Sequence, residues 1–273
     1  MKLIRVFPRK TKATPEDENV RFSAPSLFDE ADAVDISVTF EQDKPKSEDM
    51  AELWLHVTPH VEIGGPAYSD PGGEFKPGKY LKPGYVFTSR GCPNDCWFCK
   101  VHKREGEIRE LKINDGYNIL DSNLLACSDS HIKNVFEMLK RQKEKPRFTG
   151  GLDPELFRPW IAEEFIKLKP KTAYFAYDDP HDYEHLINAT NILREYEIIP
   201  DSSHSYFCYV LIGYDGDTFE KAEKRLNQIN KMNLFPMAML YDKEIHRKDN
   251  DGWIKFQREW ANHKITGNTM AKA

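Results

Sequence analysis

The chain has 273 residues, a formal net charge of −5, 40% hydrophobic and 30% charged residues. That composition excludes disorder and collagen-like structure, and no apolar run reaches the ~18 residues of a membrane span. The mildly acidic balance (pI ≈ 6.0) argues against a chain built to coat nucleic-acid phosphates, although a local basic groove stays open. No apolar stretch of a signal peptide follows the opening MKLIRVFPRKTK, so a cytoplasmic protein is expected.

Residues 1–83 are rich in Pro, Gly, Asp and Glu and read as a small irregular α/β segment. It contains one βαβ-like passage. AVDISVTF (33–40) alternates as a strand. KSEDMAELW (46–54) reads as a short helix with Ser47 at its N-cap and Met50, Leu53 and Trp54 inward. HVEIGGPA (60–67) reads as a strand ending in a glycine turn, and 69–84 as a linker. From 84 to 243 the pattern is regular. Strands are expected at 85–90, 116–126, 146–151, 172–178, 205–214 and 235–241. Between them fall helices at 128–144, 153–169 (Asp153 as cap, Pro154 at the first position), 181–197 and 217–232 (capped by Asp217, with Phe219 inward). Residues 100–115 carry no convincing long helix, and residues 244–273 form a C-terminal helical extension whose closing helix spans 253–263. Six strands alternating with helices imply parallel βαβ units, in an open doubly wound sheet or a partial barrel. In either fold the active face lies at the C-terminal ends of the strands.

The five cysteines are an odd number in a chain with no export signal, so a disulfide framework is not expected. Three crowd into one loop, Cys92-Pro-Asn-Asp-Cys96-Trp-Phe-Cys99, after the first strand of the regular region. Three thiolates can hold three corners of a 4Fe–4S cubane and leave the fourth iron open. Two other readings use the same loop. Cys92, Cys96, Cys99 and His102 make a Cys₃His zinc set, and Cys127 can serve as fourth ligand of a closed cluster.

The loop resembles the radical S-adenosylmethionine (radical SAM) superfamily, whose signature is CxxxCxΦC with an aromatic at Φ; Phe98 fills that position. The resemblance implies a partial (β/α)6 TIM-like barrel over 84–243, with Cys92, Cys96 and Cys99 as cluster ligands and Phe98 as an adenine-side contact. Thr149-Gly150-Gly151 looks like the family's Gly-Gly-Glu element, with Leu152 where Glu is usual, and implies that Gly150 and Gly151 approach the methionine end of S-adenosylmethionine. Tyr177 and Asp178 are similar in position to the family's ribose contacts. Ile212 and Gly213, in the stretch Val210–Thr218, resemble its adenine-side GxIxG element, with Asp215 replacing a proline. The implied chemistry is reductive cleavage of S-adenosylmethionine to methionine and a 5′-deoxyadenosyl radical, which takes hydrogen from a substrate. The implied electron source is a one-electron donor such as flavodoxin or ferredoxin. Ile63-Gly-Gly-Pro-Ala67 is a faint echo of cobalamin-binding domains, but their DxHxxG motif is missing and no cobalamin is expected.

The substrate is not readable. Cys127, Asp121, Asn123 and His204 are candidates for substrate or hydrogen-donor groups near strand ends, while Cys208 reads as core. His181 and His185, spaced i, i+4, read as part of a solvated acidic helix start, and KRQKEKPR (140–147) as a solvated helix end. The alternative to catalysis is a non-catalytic iron–sulfur or zinc protein.

Overall fold

Alternation builds the amino-terminal sheet. In the computed structural model, which describes residues 2–70, 72–199 and 205–261, its strands are β1 (Leu3–Val6), β2 (Val20–Arg21), β3 (Ala33–Ser37) and β4 (Val61–Gly64). All pair in parallel in the order β2-β1-β3-β4. Ile4, Val6, Val34, Ile36 and Val38 form a core with Met50 and Trp54 from α1 (Lys44–Trp54), the crossover between β3 and β4. Each such fully buried side chain contributes roughly 1.5–3 kcal/mol.

Several details of the first unit differ from the sequence reading. The helix starts at Lys44 with Pro45 in its first turn, so Ser47 is not its cap but a buried hydroxyl that donates to the Lys44 carbonyl at 2.7 Å. Leu53 is 45% exposed, because Met50 and Trp54, four apart, already define the inward face. β1 lay inside a stretch read as irregular. Its polar member Arg5 is buried, donating to the Gly78 and Lys79 carbonyls and to Asp17.

The expected strand over 85–90 is two short strands, β5 (Tyr85–Val86) and β6 (Ser89–Arg90). After the cysteine loop come α2 (Val101–Glu105) and β7 (Arg109–Glu110), which pairs antiparallel with β6. β8 (Asn118–Ile119) pairs parallel with β5 and stops far short of residue 126. The ladder gives way there to a side chain: buried Asp121 accepts from the Thr88 amide at 2.7 Å, the Thr88 hydroxyl and the Ser89 hydroxyl.

The chain divides into two compact units, Met1–Ser122 and Asn123–Ala273. In the second, α3 (Asp129–Lys140), α4 (Pro159–Leu168), α5 (Asp182–Glu195) and α6 (Phe219–Lys231) alternate with β9 (Arg147–Leu152), β10 (Thr172–Tyr177), β11 (Tyr206–Ile212) and β12 (Phe235–Leu240). These strands run parallel in sequential order. Phe148, Ala173, Phe175, Cys208, Val210 and Ala238 line a fully buried face. On the other face Tyr174 stacks between Phe207 and Tyr209, with ring centroids 4.7 and 4.8 Å away. The whole is a mixed α/β protein whose larger sheets are parallel, with β6–β7 the one antiparallel pair among the described residues.

Three corrections apply to this unit. Asp153 caps only a short 3₁₀ turn over 154–156, and α4 begins afresh at Pro159, because Arg158 is held extended ahead of a proline. Thr218, not Asp217, caps α6, accepting from the Lys221 amide. Phe219 is 39% exposed and lies against Trp253 and Phe256. Those aromatics belong to α8 (Trp253–Ala261), preceded by α7 (Lys243–Asp249), which falls in the expected helical extension although no separate helix was delimited there. Residues 262–263 of the expected closing helix lie outside the described residues. Among the described residues no helix is long and apolar enough to cross a membrane.

Candidate functional site

The cysteine loop is an excursion with a tied neck. Gly91 opens it at φ +85°, and a Cβ there would stand 2.2 Å from the Glu107 carbonyl oxygen and 2.6 Å from that of Gly106. Only glycine permits this approach. Across the neck the Cys92 amide donates to the Gly106 carbonyl at 3.1 Å, and the Gly91 amide to Glu105 Oε2 at 3.1 Å. Glu105 is buried, held by Arg104 at 2.6 Å and flanked by Arg90 at 3.7 Å. The Arg90 guanidinium lies 3.6 Å over the Phe87 ring, and its burial pulls its pKa below the usual arginine range.

Cys92, Cys96 and Cys99 are each half-buried. The Val101 amide donates to Cys99 Sγ at 3.4 Å, which fixes that sulfur at the start of α2. His102 Nδ1 lies 3.0 Å from the Cys92 carbonyl, which fixes the ring on the loop. Phe98 packs edge-to-face on Trp97, which is 54% exposed. The donor chemistry suits a soft metal or an iron–sulfur cluster. The thiols are not drawn into a ready cage: among the described residues no three His, Cys, Asp or Glu side chains gather closely enough to hold a metal ion.

In the second unit, several expected residues share the C-terminal ends of the strands. Phe148 pairs with Ala173 and Leu152 with Phe175, so Thr149, Gly150 and Gly151 all stand opposite Tyr174 alone. This is a β-bulge, the device that re-aims a strand beside a site. Gly151 has φ +112° and open space where a Cβ would be. Tyr177 donates to Gln228 Oε1 at 3.2 Å, and burial pushes its hydroxyl up to about 12. Burial, reinforced by Asp182, pushes the Asp178 carboxyl up to about 7, although the Leu211 amide donates to it. Asp182 accepts from the amides of Asp178 and Asp179 at 3.0 and 2.8 Å, and this fixes the turn into α5.

Ile212 is buried at the end of β11. The space against Gly213 is already filled: a Cβ there would lie 2.6 Å from Leu240 Cδ1, 3.1 Å from His246 Nε2 and 3.2 Å from Trp253. Asn123 donates to Asp153 Oδ2 at 3.0 Å. Cys127 and Cys208 are buried, and burial lifts the Cys208 thiol well above the usual range. Asp121 is buried in the first unit, its carboxyl pushed up by desolvation against its three donors. His204 lies outside the described residues.

Spacing alone did not expose the polar ties around these groups. Asp217, eight positions before Arg225, accepts from it at 2.8 Å and from the Gly213 amide at 2.9 Å, while Arg225 also holds the Leu211 carbonyl. His246, in α7, bridges Asp251 and the Gly213 carbonyl. No family model matches the chain, and no curated protein matches it.

Proposed function

We propose that the chain is a radical SAM enzyme whose residues 84–243 form a partial (β/α)6 barrel and whose Cys92, Cys96 and Cys99 hold one 4Fe–4S cluster. The observation that carries this reading is the CxxxCxΦC spacing in a loop necked at Gly91 directly after a strand. When bound, the reduced cluster supplies the electron that cleaves S-adenosylmethionine to methionine and a 5′-deoxyadenosyl radical, which takes hydrogen from a substrate. Loading requires the three sulfurs to converge, so binding and loop ordering are coupled. The Val101 amide, donating to Cys99 Sγ, would position that sulfur as a ligand. Gly151 leaves room for the amino-acid end of the cofactor, and Asp178 holds a proton up to about pH 7 from which it can donate to a ribose hydroxyl. Phe98, Gly150, Tyr177, Ile212 and Gly213 complete the proposed cofactor contacts, the last with its Cα face taken by His246 and Trp253. A flavodoxin or ferredoxin would supply the electron.

A second reading, a Cys₃His zinc protein without catalysis, draws on His102. Its Nδ1 faces a backbone carbonyl, as in many zinc-ligating histidines, and this leaves Nε2 for a metal. Anaerobic reconstitution with iron and sulfide separates the two. The enzyme reading expects a brown protein that forms 5′-deoxyadenosine under a strong reductant. Colour is lost in Cys92→Ala, Cys96→Ala and Cys99→Ala and kept in Cys127→Ala. A colourless protein holding one zinc ion, released by His102→Ala, overturns it.

A further inference from the structure

Residues 140–147 and 167–171 hold eight Lys or Arg residues against one acidic residue, Glu144, in a chain whose net charge is −5. They form the connections into β9 and β10, at the opposite end of these strands from Gly151 and Asp178. The two connections are seamed together: the Lys171 amide donates to the Pro146 carbonyl at 2.7 Å. Between them lies an open cleft of about 380 Å³ whose wall carries Lys140, Lys143, Lys145 and Lys167, with Glu144 as its one carboxylate, over Leu139 and Leu168. Lys140 is paired with Glu137 and Glu164, and Lys167 with Glu164. Lys143, Lys145, Lys169 and Lys171 are exposed and meet no carboxylate among the described residues. Lys169 ends α4 at φ +47°, a backbone state that fixes where its side chain leaves the helix.

Clustered ammonium groups raise the local positive potential and draw anions to the cleft, even on a chain of net negative charge. Lysine acts as a point charge toward phosphate. The apolar residues of the cleft, Leu139 and Leu168, are 1% and 7% exposed, and no aromatic lines it. It therefore lacks the exposed aromatic anchors of a protein–protein hot spot and the stacking platforms that read bases. Cations distributed along two seamed loops suit a run of phosphates. We propose that this lysine cleft binds the sugar–phosphate backbone of a nucleic acid without reading its bases.

The full chain, with or without iron, is titrated into fluorescently labelled 20-nucleotide single-stranded and duplex DNA and RNA, followed by anisotropy. Four phosphate contacts on a single strand predict that raising salt from 50 to 200 mM weakens binding about 50-fold. Lys143→Glu with Lys145→Glu removes two contacts, so the logarithmic salt slope falls to about half and affinity at 50 mM salt drops at least ~10-fold. Lys171→Glu, on the other loop, weakens binding by a smaller factor and guards against a local folding defect in the first variant. Absence of binding at 50 mM salt, a salt slope unmoved by these substitutions, or equal displacement by polyglutamate at matched charge would each overturn the proposal. Because the measurement needs no cluster, its failure leaves the enzymatic reading untouched, and the reverse holds too.

Discussion

Asp178 and Gly91 show how single positions carry different kinds of constraint. The folded chain holds the Asp178 proton up to about pH 7, because burial and the neighbouring Asp182 disfavour its charge. An unfolded chain releases it near pH ~4. Stability from this group is therefore full below pH ~4 and is lost as pH rises toward 7. Asp178→Asn, which mimics the neutral acid, is expected to gain up to about 4 kcal/mol over the parent at pH 8 and almost nothing at pH 4. Urea unfolding at the two pH values measures this, and an equal offset at both would refute it. Gly91 is constrained by space and by φ together. Gly91→Ala should open the loop neck at a cost of about 1–3 kcal/mol, seen as fast hydrogen exchange over 92–105 with the sheets still protected. Unchanged exchange there would show that the neck tolerates a side chain.

Helix starts show what a spacing rule can and cannot reveal at the scale of one element. α3, α5 and α6 were legible because their apolar residues recur every three to four positions over three turns or more. Their caps were less so. Asp217 and Thr218 are both good capping residues in sequence, and only packing decides between them: Thr218 accepts from Lys221, while Asp217 turns inward to Arg225. Thr218→Ala should cost about 1 kcal/mol, the ordinary value of a cap. Asp217→Ala should cost about 3–5 kcal/mol, because it leaves a buried guanidinium unpaired. Thermal unfolding of the two variants gives the order, and the reverse order would restore Asp217 as the cap. Similar reasons explain α4, where Pro159 resets the start, and α7, whose seven residues are too few for a periodic signal.

For the molecule as a whole, the parallel α/β character was readable from alternating strand and helix patterns, and the cysteine loop from its spacing. The tertiary ties were not readable. Arg5 with Asp17, Asp121 with Thr88 and Ser89, and His246 with Gly213 join residues whose separation follows no period. The basic cleft was visible in sequence as a run of lysines, but a run on a helix end looks the same whether solvent or a ligand meets it. The seam between Lys171 and Pro146 joins that run to a second one and makes a cavity.

β1 lies between β2 and β3, with bonds to both, and its Arg5 reaches backbone carbonyls more than seventy positions away. A stretch whose composition reads as irregular is therefore an interior plank. Any shortened version engineered to begin near Asp17 would lose the middle of its sheet, not its fringe, and tags that need to be cut off cleanly are better designed to leave Leu3 untouched.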